Sequence, residues 1–150
     1  MSIKEQLKLD LTEAIRSRDE LTSGTIRMVL TAITNEEVAG KEARQLSDDE
    51  VITVLSREAK KRREAAEAFG DAGRADKAAL EKAEGEVIAK YLPAQLTESE
   101  VAAIIAEAIA ATGAAGPADM GKVMGAVKGK IAGKADGSVV SSLVKAALNK

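Results

Sequence analysis

Gly121, Gly125, Gly129 and Gly133 recur at every fourth residue, in a stretch that also carries Lys122, Lys128, Lys130 and Lys134. In a helix that spacing places the glycines along one track, with Lys122 on the same outer face, Lys128 and Lys130 beside it and Lys134 just past the end. Each interior Gly weakens a helix by about 0.5–1 kcal/mol relative to Ala, so a row of them asks for a reason. Two reasons fit. In one, bare peptide surface lets a nucleic-acid backbone or a second helix approach closely, while the lysines make salt-dependent contacts to phosphate. In the other, Gly133 is a C-cap, Gly121 an entry residue, and Gly125 and Gly129 permit tight packing inside the chain. The pattern alone leaves both open.

Other constellations are weaker. Gly116-Pro117-Ala118-Asp119-Met120-Gly121-Lys122-Val123 comes within one residue of the phosphate loop G-x-x-x-x-G-K-[ST]. Val123 stands where a hydroxyl must reach Mg²⁺, and an Ala-rich helical stretch precedes it where a buried strand belongs. No nucleotide-phosphate site is expected. Arg57, Lys60, Lys61, Arg62 and Arg63 form the densest basic run, but Glu58–Arg62, Lys60–Glu64 and Arg63–Glu67 are i,i+4 pairs of a solvated helix face. Glu58 and Arg62 share a track with Leu55 and Phe69, so this pair is expected to be partly buried and to set helix register. With no His and no Cys, the chain lacks a Ser-His-Asp triad, a thiol nucleophile, the usual zinc ligands and any disulfide. No carboxylate pair stands out as a catalytic dyad. The reading is therefore no catalytic residue, no metal and no cofactor. Tyr91 and Phe69 are too few to build a stacking platform for single-stranded RNA.

The elements that must hold the Gly–Lys row are helices. The chain is 150 residues long, 45% apolar and 31% charged, with the apolar share mostly aliphatic. Ile3, Leu7, Leu11 and Ile15 step by four. A second helix begins at Asp19-Glu20, carries Leu21, Thr25, Met28, Val29, Ala32 and Ile33 on one face, and ends near Gly40. Ser47-x-x-Glu50 has the form of a capping box opening a third helix through Val51, Val54, Leu55, Ala65 and Ala66 to Phe69, which Gly70 and Gly73 break. A fourth spans Asp76 to Tyr91 with Leu80, Ala83, Val87, Ile88 and Tyr91 inward, and Pro93 stops it. Thr97-x-x-Glu100 opens a fifth helix with Val101, Ile104, Ile105, Ala108 and Ile109 as its stripe. Met120, Val123, Met124, Val127 and Ile131 make a sixth. Asp136 caps a seventh with Val140, Leu143, Val144, Ala147 and Leu148.

The fold class is thus all-α, with a boundary at Pro93–Leu96 separating a helical domain (1–93) from a small three-helix domain (94–150). Charge is also uneven, and divides further along the chain, at Pro117. Residues 117–150 carry six Lys and two Asp, a net +4, and the preceding residues carry −6. The start of the chain is charged from Lys4 onward, unlike a secretory signal, and no run reaches a membrane span. A cytoplasmic protein with no membrane partner is expected.

Thr25-Ile26-Arg27-Met28 leading to Asn35-Glu36-Glu37, Tyr91-Leu92-Pro93-x-Gln95-Leu96, and Asp119-Met120-Gly121-Lys122-Val123-Met124-Gly125 followed by Gly133-x-Ala135-Asp136-Gly137 resemble the GatB/YqeY family over essentially the whole chain. The resemblance implies a stand-alone YqeY-like protein whose small C-terminal domain is similar to the tail of the GatB subunit of tRNA-dependent amidotransferases. That tail helps hold tRNA, while another part of GatB does the ATP-dependent chemistry. It also implies the family label of carbon–nitrogen ligase with glutamine as amide donor. On this basis Gly121, Lys122, Gly125 and Gly133 carry over to the tail's motif, and Lys128, Lys130 and Lys134 complete a candidate nucleic-acid-binding set. The implied partners are tRNA and an amidotransferase or aminoacyl-tRNA complex. The alternative is a protein–protein adaptor that uses the same face.

Overall fold

The computed structural model describes residues 1–149. Among them are seven α-helices, one 3-10 turn and no strand: α1 (Ile3–Arg16), α2 (Glu20–Glu37), α3 (Asp48–Asp71), α4 (Ala75–Ala89), α5 (Glu98–Thr112), the turn Pro117–Asp119, α6 (Met120–Ile131) and α7 (Gly137–Leu148). The all-α class read from the sequence holds. Two compact units form, one of Met1–Leu92 and one from Pro93 onward. No single described helix is long and apolar enough to cross a membrane.

The helix starts follow from capping. Ser47 and Glu50 satisfy each other's backbone amides at α3, and Thr97 and Glu100 do so at α5. A third box, Ser2 with Glu5, opens α1. Asp19 and Asp136 each accept a backbone N–H at α2 and α7.

In the first unit Leu7, Ile26, Val29, Ile33, Val51, Leu55 and Ile88 form the centre of a buried cluster. Ion pairs frame it. Lys4 Nζ lies 2.6 Å from Glu37 Oε1, and Glu37 Oε2 accepts the Leu46 N–H, which ties the start of α1 to the α2–α3 connection. Tyr91 donates to Asp10 Oδ2 at 2.5 Å, fixing the end of α4 to α1. Burial first, and then this bond to a carboxylate, hold the phenol well above its usual range. Arg62 is 8% exposed and donates to the Glu58 carboxylate at 2.6 Å, so the expected buried pair is present.

Several expected core positions lie elsewhere. Ile15 is 50% exposed and Ala14 is buried in its place. A four-residue step turns about 400°, so the stripe drifts about 40° each time and by Ile15 has left the face that holds Leu7. Leu80 is 52% exposed. The core cluster takes nothing from α3 beyond Ala59 and nothing from α4 before Val87. Between those points the two helices form an arm with a single face to bury, which Ala66 and Ala78 occupy. Met28 and Leu21 are partly exposed, and Ile26 takes the core position instead. Helix α2 ends at Glu37, not near Gly40, because the Glu37 carbonyl turns to the Arg44 N–H. Gly70 stays inside α3, and Gly73 with φ +75° ends it.

The second unit packs Val101, Ile105, Val123, Val127, Ile131, Val140, Val144 and Leu148. No charged side chain is buried among its described residues. A strap over residues 93–97 runs against the end of α6. The Leu96 N–H donates to the Lys134 carbonyl and Gln95 Nε2 donates to the Gly133 carbonyl, both at 2.8 Å.

Candidate nucleic-acid interface

Helix α6 carries the candidate site. At about 100° per residue, Val123, Val127 and Ile131 lie on one side and Gly121, Gly125 and Gly129 on the other. The first set is buried and the second exposed. A Cβ built at Gly121, Gly125 or Gly129 meets no atom within 4 Å. That removes the tight-packing explanation for the interior glycines, since nothing in the described chain leans on them. The row is about 12 Å of bare helical backbone facing outward.

Lys122 and Lys128 stand three residues before and after Gly125, about 60° to either side of it. Both are exposed. Lys122 Nζ is 3.9 Å from Asp119 Oδ1, the outer limit of an ion pair. Lys128 has no carboxylate within 4 Å among the described residues. The two therefore border the glycine row with positive charge on both sides. Lys130 does not join them. It turns toward α5, with Nζ 4.0 Å from Glu107 Oε2. Gly133 is likewise not part of the open face. Its φ of +73° and the Lys134 N–H donating to the Ile131 carbonyl make it the left-handed residue of a tight turn, and the strap covers its carbonyl. The side chain of Lys134 is exposed just beyond that turn.

Asp119 and Gln95 do more here than residue type suggests. Asp119 Oδ2 accepts the Ala115 N–H at 2.9 Å, folding the Gly-Ala-Pro loop back on itself before α6 begins. That backbone bond is the main reason its carboxyl sits below the usual range, with Lys122 contributing. Gln95 anchors the strap. Neither role has a periodic signal, because each depends on a bond to a backbone group in an irregular segment. Among the described residues no three carboxylates are grouped to hold a metal ion.

The sequence model of the family described as Yqey-like protein matches residues 4–148. A curated relative, "Altered inheritance of mitochondria protein 41, mitochondrial" from Clavispora lusitaniae, is 34% identical over 86 residues. The match covers 57% of this chain and 49% of that protein, so it spans about half the length of the relative.

Proposed function

The chain belongs to the YqeY-like family, and from that premise we propose that it is a non-catalytic accessory protein that holds tRNA beside a tRNA-dependent amidotransferase. The observation that carries this reading is the outward glycine row of α6 bordered by Lys122 and Lys128. Bare backbone admits a phosphodiester chain to van der Waals distance, and flanking ammonium groups meet its charge without reading bases. Lys134 extends the charge beyond the helix end. Lys130 lies apart, toward Glu107, and contributes less.

Titration of tRNA at two salt concentrations, with melting curves alongside, tests the reading. Removing one lysine–phosphate interaction should flatten the slope of log affinity against log salt by nearly one unit, and should weaken different tRNAs about equally. Lys122→Glu sets an acid on the open face and should weaken binding more than simple removal of the charge. Gly125→Leu should block close approach while leaving the melting temperature unchanged or higher, since Leu is the better helix former. If the parent chain binds no tRNA, or neither variant differs from it, the reading fails and the same face becomes a docking site for a protein helix. Salt separates the two, because apolar helix docking does not collapse with ionic strength.

A further inference from the structure

The guanidinium of Arg62 is only half satisfied. Its Nη1 donates to the Glu58 carboxylate at 2.6 Å and to the Glu58 carbonyl at 3.4 Å. The opposite edge, where Nε and Nη2 point the same way as a fork, is poorly matched. Nη2 reaches the Sδ of Met28 at 3.5 Å, and Nε is buried with no hydrogen-bond partner. Glu84 Oε2 stands 3.6 Å from Nε, close enough for charge attraction but beyond a hydrogen bond. A thioether is a weak acceptor, and a buried guanidinium N–H without a partner is costly. What this fork lacks is one strong oxygen acceptor on the Met28 side.

Met28 supplies the sulfur for one. It is 42% exposed, in a chain with no Cys, so methionine is its only readily oxidised side chain. We propose that Met28 is a peroxide-sensitive modification site whose sulfoxide oxygen is received by the Nε–Nη2 fork of Arg62. A sulfur lone pair attacks one oxygen of hydrogen peroxide, the O–O bond breaks, and the other oxygen leaves as water after proton transfer. The sulfur is oxidised by two electrons, the peroxide is reduced by the same two, and the added oxygen stays on Sδ. That oxygen is polar and strongly accepting. In an apolar core it would be disruptive, but here it lies beside Nη2, which already reaches the sulfur, and next to the partnerless Nε of the same fork. Oxidation at this position ties α2 more firmly to α3.

The test uses the full chain with Met120→Leu and Met124→Leu, volume-conserving changes that leave Met28 as the one internal methionine. Dilute hydrogen peroxide is applied, sulfoxide is followed by peptide mass mapping, and melting is recorded before and after. The unaltered chain, treated in parallel, should oxidise Met28 about threefold faster or more than the half-buried Met120 and Met124, with Met1 as the fully exposed reference. Oxidised protein should melt at or above the temperature of the reduced form, and methionine sulfoxide reductase should return the original curve. Arg62→Lys keeps the charge but loses the fork, so in that background oxidation should lower the melting temperature. Should Arg62→Lys not fold, M28Q, whose amide oxygen stands in for the sulfoxide, should melt above M28L. Slower oxidation at Met28 than at Met120 and Met124 overturns the proposal. So does a fall in melting temperature on oxidation with Arg62 in place, or M28Q melting below M28L.

Discussion

The two units handle charge in opposite ways. In the first, cations and carboxylates are drawn into the structure: Lys4 on Glu37 and Arg62 on Glu58, each at 2.6 Å. In the second, the core is wholly apolar, and the ion pairs of Lys122 and Lys130 stand at 3.9 and 4.0 Å. A short internal pair fixes helices and is then taken up within the fold. A lysine at the limit of pairing, on an exposed helix, contributes little to holding the fold. The same residue types thus hold one unit together and leave the other's surface free to act.

The strongest way to break this contrast is Arg62→Ala. It leaves the buried Glu58 carboxylate with only the exposed Lys61 ammonium, 3.0 Å from Oε1, and should destabilise the first unit by about 3 kcal/mol, the low end for breaking a buried pair. Amide hydrogen exchange should quicken in α2–α4 and stay unchanged in α5–α7. Equal quickening in both units would show that they share one stability.

The reverse change is Val127→Ala. It removes two buried methyl groups from a core with no polar network, at a cost of about 2 kcal/mol including the space left behind. Denaturant unfolding followed by exchange should place the destabilisation in α5–α7.

Acid should separate the units without mutation. Four carboxyls held below their usual range, Glu5, Asp19, Glu37 and Glu50, lie in the first unit, and one, Asp119, lies in the second. For Glu37 the hydrogen bond from Lys4 is the largest cause and the Leu46 N–H the next. On acidification the unfolded chain takes up these protons first. The stabilisation is therefore complete above the ordinary Glu value of 4.5 and is lost as pH falls through the lower folded value. The first unit should melt earlier in that window, and Glu37→Gln should flatten its acid dependence.

The smallest effect is the most diagnostic for the glycine row. Gly129→Ala adds a methyl group that meets nothing within 4 Å, so it should stabilise α6 by about 0.5–1 kcal/mol, read as a small rise in melting temperature. A fall would mean that the row packs against something after all.

Helix identity and polarity were legible in the residues because their causes are local. Ser47 with Glu50 and Thr97 with Glu100 announce their starts, and aliphatic spacing names most of the buried faces. The outward direction of Gly121, Gly125 and Gly129 follows from the same period. Whether a neighbour covers them does not, because that depends on where α5 and α7 lie. Leu80 misled for the same reason: its spacing matches Val87, but α4 has a second packing partner only at one end. Lys130 shares a sequence cluster with Lys128 and ends beside Glu107, a separation that only the placement of α5 decides. Arg18 gave no signal at all. It sits at φ 58° closing α1, a conformation its type disfavours, held by the Asp19 N–H donating to the Ala14 carbonyl.

The strap at Gln95 and Leu96 also sets the order in which the molecule is completed. Helices α3 and α4 are joined by a short turn and can pair as soon as both have left the ribosome. The strap instead closes onto Gly133, a separation of 38 residues, so α5 must wait through the synthesis of α6 for its N-terminal end to be secured. During that interval Val101 and Ile105 have no partner helix to cover them. The second unit is therefore the later half of the nascent chain to close, its apolar face bare until α6 and α7 have both emerged.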